Sequence, residues 1–365
     1  MNFKANGARR ALPLSTNDRS FCIVRLSMRT ILMVSRHFPP EYSVGGKRAY
    51  RLARRLPNHG VRPIVLTAPE RDGGDPSAGS GLPPETLVER HFQPDFWPAD
   101  KNRGSDGTAS GNTRRRRKPV DIPLGRELLL TPWTVARMVR LVQREKPSVI
   151  WATSSPYAVL LFGALASRLT GVPWIADLRD PWTTNFNQGA KPEWVKSTES
   201  ILERRLLTHA SLIIFTAETA ADAYREAYPE LAPKIHLIRN AFDEDQAPAP
   251  PPPRSPGPLH VVHFGNCYGP RRLEHFLRAV DLLIRRGELT TSDIVLENLG
   301  RANEHDLTLA AELGLSGIIR ISPTIPYEQG LAKLASADVQ LLIGYGSEAL
   351  YIPAKLYDYL LSGAP

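Results

Sequence analysis

The stretch that decides the fold is residues 31–67, which read ILMVSRHFPPEYSVGGKRAYRLARRLPNHGVRPIVLT. Its beginning, residues 31–35, is an apolar run typical of a fully buried strand. Between Ala49 and Leu56 apolar residues recur at the i, i+3, i+4 and i+7 positions of an amphipathic helix. Residues 63–67 form a second apolar strand, so the stretch predicts the strand–helix–strand unit of a parallel α/β sheet.

Strands and helices alternate in the same way along most of the first half of the chain. Residues 70–120 are different, because Gly, Ser, Pro, Asp and Arg dominate there and no period is visible. That composition predicts a mobile basic loop. After the loop, strands are predicted at 149–152, 174–177, 212–216 and 235–238, with helices at about 134–145, 157–169, 193–208 and 217–228.

A proline-rich segment divides the chain. Residues 247–258 read APAPPPPRSPGP, and seven prolines in twelve positions exclude a helix or a central strand. We interpret this segment as a stiff linker between one domain at 28–246 and another at 259–365. In the second domain we expect strands at 259–264, 293–297, 318–321 and 338–343, and helices near 273–284, 303–313, 327–335 and from Ala354 onward.

The fold class that follows is α/β, with two Rossmann-like domains facing a cleft. Domains of this kind bind ligands between them, at the carboxyl ends of their strands. The second domain ends at Pro365, before the further strand and helix that would complete a doubly wound sheet. We therefore expect this domain to be truncated.

Charge is unevenly distributed over the 365 residues. The formal net charge is +9, from 46 Lys and Arg against 37 Asp and Glu. Residues 1–27 contribute +4 and the run RRRRK at 114–118 contributes +5, so the rest of the chain is formally neutral. A groove that tracks nucleic acid would spread its basic residues over the folded body, so no nucleic acid partner is expected. The run at 114–118 indicates contact with an anionic surface such as lipid, or else simply solvated charge.

The N-terminal segment, the longest apolar stretch and the cysteine count indicate where in the cell the protein is located. Residues 1–27 lack the continuous apolar core of a secretory signal, and we interpret them as a disordered or mis-annotated leader, with Met28 as a candidate start. The longest apolar stretch, 158–166, is too short to span a membrane. Two cysteines cannot build a disulfide framework or a four-thiolate metal site. We expect a cytoplasmic protein, peripheral at the inner face of the membrane.

Two candidate sites belong to the first domain. Gly45, Gly46 and Lys47 open a helix, where backbone amides and close approach favour an anion, although a tight turn without ligand has the same pattern. Asp177, Arg179 and Asp180 lie at the end of a predicted strand. These carboxylates would orient sugar hydroxyls or accept a proton, or the segment is a structural Asp–Arg pair.

Two further candidates belong to the second domain. Gly265, Asn266, Arg271 and Arg272 follow its first strand, where arginine can clamp a diphosphate or lie solvated. Lys355 and Asp358 are i, i+3 and share one helix face, as a phosphate-binding cation and a ribose-binding carboxylate or as a surface ion pair.

Three segments, taken in order, resemble those of a family 4-type glycosyltransferase, an enzyme with the GT-B fold. They are ILMVSRHFPPEYSVGG at 31–46, IADLRDPW at 175–182 and IPAKLYDYLLSGAP at 352–365. The resemblance covers residues 28–365 except for 70–120. It implies an enzyme that moves a sugar from a nucleotide-sugar donor to a saccharide or lipid-linked acceptor, in cell-surface polysaccharide or glycolipid synthesis.

The resemblance implies that the second domain holds the donor diphosphate. Arg272 matches the basic residue that does so together with a partner five or six positions earlier. That partner is often arginine, but here it is Asn266, so the clamp would be weaker or completed by Arg271 or Lys355.

It also implies a site for the donor's nucleoside. Asp358 matches the second carboxylate of the family's Glu-x7-Glu pattern, which binds the ribose. The first carboxylate would fall at Leu350, which cannot act in this way, and Glu348 is out of register. Residues 324–327 would pass the nucleotide base.

For the chemistry, the resemblance implies retention of the anomeric configuration, with the leaving diphosphate helping to deprotonate the acceptor. Gly45 and Gly46 would lie near the donor phosphates and the acceptor. Arg179 takes the place of a histidine found in many relatives and would steady sugar or phosphate oxygens. No metal site and no cofactor are expected, since arginine and lysine would supply the charge. The alternatives are an inactive nucleotide-binding remnant of this fold and a nucleotide-sugar epimerase.

Overall fold

The computed structural model describes most of the chain. The predicted leader at 1–27 and the basic run at 114–118 lie outside the described residues. The described residues are 28–40, 44–70, 81–94, 122–184, 191–251, 256–267, 269, 271–322, 325–344 and 350–364.

The first domain is built on a sheet of seven parallel strands. They lie in the order β3-β2-β1-β4-β5-β6-β7. Leu32 pairs with Ile64 on one side and with Ile150 on the other, so the strand order reverses direction between β1 and β4, where such sheets open a ligand crevice. The strands are β1 (Arg29–Val34), β2 (Val61–Leu66), β3 (Leu87–Glu89), β4 (Val149–Thr153), β5 (Trp174–Leu178), β6 (Leu212–Phe215) and β7 (Ile235–Leu237).

Both faces of this sheet are buried, because successive strand residues point to opposite sides. Leu32 and Val34 lie in the larger core beneath helices α2 to α5, and Met33 lies in a smaller core with Ala49 and Ala53 of α1. Fully buried strands of a parallel sheet read as continuous apolar runs, as residues 31–34 do. The helices are α1 (Val44–Arg55), α2 (Thr131–Glu145), α3 (Ala158–Thr170), α4 (Glu193–His209) and α5 (Glu218–Ala227).

The interpretation of 70–120 as one loop is wrong in its described part. Residues 81–94 include β3, which pairs with β2 and forms the edge of the sheet. Phe92 follows it and is fully buried. A three-residue strand among Gly and Pro has too few positions to show a period, and its contacts with β2 come only from the tertiary fold.

The second domain has a sheet of four parallel strands in the order β10-β9-β8-β11. It begins at Leu259, directly after the predicted linker. Gly363, in the left-handed conformation (φ +74°), follows the helix that ends at Ser362. The expected strand at 338–343 is shorter, at two residues. The elements are β8 (Leu259–Phe264), α6 (Glu274–Arg285), β9 (Ile294–Leu299), α7 (Glu304–Glu312), β10 (Ile319–Ser322), α8 (Tyr327–Ala335), β11 (Val339–Gln340) and α9 (Lys355–Ser362).

Packing crosses the expected domain boundary in both directions. Phe242, which precedes the linker, packs against the core that contains Tyr359 of the second domain. Leu350 and Ile352 return to pack against the core of the first domain. The two domains therefore share apolar contacts, and residues on each side of the expected linker pack against the core of the other domain.

Among the described residues, no helix combines the length and the apolar character that crossing a membrane requires.

Candidate functional site

Helix α1 lies at the junction of the two domains and carries a row of cations. Its positions 47, 48, 51, 54 and 55 are all Lys or Arg, and their spacing places them on one helix face. Ala49 and Ala53 are fully buried on the other side. The basic face therefore meets groups that come from β5, from residues 239–245 and from α9.

Asp177 is bound by this basic face. The Arg48 guanidinium donates to both of its carboxylate oxygens, at 2.9–3.2 Å, and Thr153 donates to Oδ2 at 2.7 Å. Asp177 has no exposed surface. Asp177, for which we predicted a catalytic role, is therefore buried and joins α1 to the end of β5 through its pair with Arg48, and the catalytic role stays a prediction.

Arg179 organises three loops at the carboxyl edge of the sheet. Its side chain donates to the carbonyl of Gly45 at 2.8 Å and to the carbonyl of Ser154, and Thr216 donates to its carbonyl at 2.8 Å. Burial lowers the pKa of Arg179, against the attraction of Asp180 and Asp177. Arg179 thus brings a positive charge to the start of α1, close to Gly45.

Asp180 lies beside Arg179 and lines a cavity between the domains. Burial raises the pKa of this carboxyl, while Arg179 and Arg271 act in the opposite direction. As a lining residue of the cavity, Asp180 can accept hydrogen bonds from a hydroxylated ligand.

The cavity has a volume of about 790 Å³ and is lined by both domains. That is within the range of small-molecule sites. Its charged lining is mainly positive, which favours an anionic ligand. The cationic lining residues are Lys47, Arg48, Arg51, Arg55, Arg179, Arg239 and Arg271, and the acidic ones are Asp180, Asp243 and Glu244.

In the second domain, Gly265 and Lys355 lie against each other. Gly265 has φ +136°, and a Cβ at this position would lie 1.9 Å from the Lys355 ammonium nitrogen. The backbone conformation favours glycine here, and a Cβ at this position would displace the end of the Lys355 side chain. Burial, together with the nearby charge of Arg271, lowers the pKa of Lys355 to about 8. Two cations thus converge near the carboxyl end of β8, where a diphosphate was expected.

Asn266 and Arg272, the other two residues predicted for the loop after β8, make different contacts. Asn266 accepts a hydrogen bond from the backbone N–H of Arg301 at 2.9 Å, so its amide oxygen joins two loops. Arg272 donates to the Gly269 carbonyl at 3.2 Å and lies 3.9 Å from Glu274, with 42% of its side chain exposed. Of the two adjacent arginines, the structure places Arg271 at the cavity.

Asp358 is buried and faces the first domain. It pairs with the Lys47 ammonium at 2.8 Å and with Arg51 at 3.3 Å, and it accepts a hydrogen bond from the Tyr327 hydroxyl at 2.6 Å. Lys47 also lies 3.9 Å from the centroid of the Tyr327 ring. Burial opposes ionisation of Asp358, yet Lys47, Tyr327 and Arg51 together lower its pKa. The carboxylate expected to bind a ribose is therefore held by α1.

A polar network with α4 and α5 fixes the loop that carries Asp180. Glu203 of α4, fully buried, accepts hydrogen bonds from the backbone and the hydroxyl of Thr183 and from the hydroxyl of Tyr224. Tyr224 in turn accepts from the backbone N–H of Trp182 at 2.8 Å. Pattern reasoning did not identify this network, because its members are far apart in the sequence.

Sequence reasoning also missed the roles of Arg48 and Arg51. The signal was present, since the cations of α1 share one face, but their partners are up to 307 residues away. Glu348 and Thr324, two positions considered for the nucleoside, lie outside the described residues. Within the described part of the chain, no group of three or more His, Cys, Asp or Glu side chains is placed to hold a metal ion.

Comparison with known proteins gives one family and several similar folds. The family described as glycosyl transferase 4-like domain matches residues 45–241, more than half of the chain. No curated protein matches.

Solved structures are similar across both domains. Sucrose-phosphate synthase from Thermosynechococcus elongatus is 15% identical, with 92% of this chain and 80% of that chain covered and a TM-score of 0.62. WaaG, a glycosyltransferase involved in lipopolysaccharide biosynthesis, is 12% identical, with coverage of 92% and 80% and a TM-score of 0.56. The catalytic domain of starch synthase IV from Arabidopsis thaliana, bound to ADP and acarbose, is 12% identical, with coverage of 86% and 78% and a TM-score of 0.52. At these identities the similarity shows the fold alone.

Proposed function

The chain belongs to the glycosyl transferase 4-like family, and on that basis we propose that it transfers a sugar from a nucleotide-sugar donor to a saccharide or lipid-linked acceptor, with retention of the anomeric configuration. The observation that carries the proposal is the cationic cavity between the domains, about 790 Å³ in volume, with Arg179 and Arg271 in its lining. A departing nucleoside diphosphate needs its negative charge neutralised in the transition state, and fixed guanidinium and ammonium groups do this.

The donor would bind mainly to the second domain. Lys355 and Arg271 would contact the diphosphate, and Gly265 allows Lys355 to lie close to the end of β8. Asp358 would bind the ribose in exchange for its contacts with Lys47 and Arg51. The ADP bound by starch synthase IV supports a nucleotide in this fold.

In the reaction, the bond between the anomeric carbon and the diphosphate oxygen breaks. The acceptor oxygen forms a new bond to the same carbon on the same face, and its proton passes to the departing phosphate. Asp180 would position the acceptor hydroxyl from the first domain, and Arg179 would stabilise the developing negative charge.

We place the reaction in cell-surface polysaccharide or glycolipid synthesis, in the cytoplasm at the inner face of the membrane. The basic run at 114–118 would contact the anionic surface there. The process that WaaG takes part in, lipopolysaccharide biosynthesis, is of this kind.

The proposal is tested in two steps. Thermal melting with UDP, GDP and ADP identifies the base, since a ligand that binds the folded state raises the melting temperature. The matching nucleotide sugars are then incubated with and without an acceptor panel, and the products are separated by chromatography. Sugar transfer that requires an acceptor supports the proposal. Conversion of the donor alone would instead show an epimerase, and nucleotide binding without any turnover would show an inactive remnant.

A further inference from the structure

The loop that follows β5 carries Asp180 at the cavity, and its backbone is hydrogen-bonded on both sides of that residue. Before Asp180, the carbonyl of Arg179 accepts a hydrogen bond from the Thr216 hydroxyl at 2.8 Å. After it, the carbonyl of Pro181 accepts one from the Tyr157 hydroxyl at 2.7 Å. The two donors lie in different parts of the first domain, since Thr216 follows β6 and Tyr157 precedes α3. Contacts made by its neighbours therefore set the place of Asp180.

A chain of hydrogen bonds connects the same loop to α4 by way of Tyr224 in α5. The backbone N–H of Trp182 donates to the Tyr224 hydroxyl at 2.8 Å, and that hydroxyl donates in turn to Glu203. All three residues are buried. Burial, followed by the charge of Glu203, raises the pKa of Tyr224 well above its ordinary value, so the hydroxyl keeps the proton that it donates. The Tyr224 hydroxyl thus acts as acceptor for the loop and as donor to α4.

The ring and the hydroxyl of Tyr224 have separate roles. The ring packs in the core, with its centroid 4.6 Å from that of Phe215 and 5.8 Å from that of Tyr228. The hydroxyl is the part that contacts the loop, through Trp182. Tyr224→Phe removes the oxygen and keeps the ring, so the Trp182 N–H loses its acceptor in a buried position. Because a buried donor without a partner is costly, we expect the loop to move in this variant.

We propose that the Tyr224 hydroxyl is a positioning group for the reaction: through the Trp182 N–H it sets the place of Asp180 at the cavity. This inference rests on the proposed function, in which Asp180 positions the acceptor hydroxyl. A displacement of about 1 Å at a group that orients a reactant can lower the rate about 10²-fold. A tyrosine buried in the core thereby contributes to acceptor binding and turnover, although it is the loop that contacts the acceptor.

Tyr228 provides the matched control for this hydroxyl. Its own hydroxyl also donates to Glu203, at 3.2 Å, and its ring packs against Tyr224. Tyr224→Phe and Tyr228→Phe therefore each remove one donor to Glu203 and keep the ring. Tyr228 lies beside the Thr183 hydroxyl as well, but the bonds from Thr183 to Glu203 remain in Tyr228→Phe. The two variants thus differ in the acceptor for the Trp182 N–H, which is lost in Tyr224→Phe and kept in Tyr228→Phe.

Steady-state kinetics of the full chain, with donor and acceptor varied separately, measures the effect on the reaction. In Tyr224→Phe we expect KM for the acceptor to rise and kcat to fall, so that kcat/KM for the acceptor drops on the order of tenfold or more. KM for the donor should equal that of the wild type, because the donor is expected to bind mainly to the second domain. Tyr228→Phe should match the wild type in all three constants.

Hydrogen exchange measures the effect on the loop without any substrate. Peptides that cover residues 178–184 are followed by mass spectrometry in the wild type and in both variants. Exchange in these peptides should be faster in Tyr224→Phe, where the Trp182 N–H has lost its acceptor, and unchanged in Tyr228→Phe.

Three results would overturn the inference. The first is equal exchange at 178–184 in the two variants, and the second is a Tyr224→Phe protein with the kinetic constants of the wild type. The third is a fall in kcat with both Michaelis constants unchanged, which a smaller folded fraction produces without any displacement of Asp180. A wild type that transfers no sugar would count against the proposed function, while the exchange comparison would still decide whether the Tyr224 hydroxyl fixes the loop.

Discussion

The ammonium of Lys47 and the carboxylate of Asp358 lie 2.8 Å apart, although 311 residues separate them in the sequence. Lys47 belongs to the first turn of α1 and Asp358 to α9, so the pair joins the two domains where we expect the donor ribose. Both side chains are largely buried, at 18% and 6% exposed. A buried ion pair stabilises little by itself, but removal of one partner leaves an uncompensated charge.

Asp358→Asn is therefore expected to destabilise the protein. Lys47 and Arg51 would face a neutral amide, and we expect the free energy of unfolding to fall by about 3 kcal/mol. Urea denaturation measures the change. Asp222→Asn is the matched control, because its pair with Arg225 is exposed and is worth less than about 0.5 kcal/mol. Equal stability of the two variants would contradict a buried pair between the domains.

Nucleotide affinity is expected to depend on the charge of Lys355. Burial holds its pKa near 8, so raising the pH through 8 removes the positive charge from the free protein. Above that pH the dissociation constant of a nucleoside diphosphate should rise by up to about tenfold per pH unit. Calorimetric titration at a series of pH values checks this. In Lys355→Arg the profile should stay flat over the same range, since arginine keeps its charge.

The lowered pKa of Lys355 has the opposite effect on stability: nucleotide affinity falls as the pH rises, whereas the free energy of unfolding increases. Between pH 8 and the ordinary lysine value, the unfolded chain binds a proton at Lys355 that the folded chain does not. The contribution of Lys355 to the free energy of unfolding therefore rises with pH in that window. Denaturation of Lys355→Met beside the wild type isolates it: the difference between the two should change with pH above 8 and be constant near pH 7.

The two adjacent arginines of the second domain are expected to differ in importance. Arg271 lines the cavity, whereas Arg272 pairs with Glu274 and is partly exposed. Arg271→Ala should lower kcat/KM for sugar transfer about 10²- to 10³-fold, the usual cost of removing one charge-stabilising donor. Arg272→Ala serves as the control and should change kcat/KM by less than about threefold. A larger loss of kcat/KM in Arg272→Ala than in Arg271→Ala would instead indicate that Arg272 binds the diphosphate, as the resemblance alone implied.

A side chain at position 265 is expected to displace Lys355. In Gly265→Ala the added Cβ meets the lysine ammonium, in a backbone conformation that alanine avoids. Nucleotide affinity should fall at least about tenfold, since one of the two cations for the diphosphate moves away. Gly287→Ala is the control: it also has positive φ (+71°), but nothing lies within 4 Å of the new Cβ. It should lose about 1 kcal/mol of stability while its nucleotide affinity stays unchanged.

The sequence was sufficient for the parts of the fold that depend on local pattern. Apolar runs and helical periods placed most strands and helices within a few residues, because a parallel sheet covered on both faces needs continuous apolar strands. The order of motifs was enough to recognise a family 4-type glycosyltransferase, and the family match over residues 45–241 confirmed it. The strand β3 escaped notice, since three residues cannot display a period.

Only the tertiary structure decided what the candidate residues contact. The sequence by itself determined two α/β domains, a proline-rich linker and a set of charged residues at strand ends and helix starts. It could not show that Asp177 forms a buried ion pair with Arg48 or that Asp358 forms one with Lys47. Nor could it show that Arg271, rather than Arg272, lines the cavity. The physical reason is range: periodicity reports contacts within one element, whereas an ion pair between domains depends on how two elements, hundreds of residues apart, come to lie side by side.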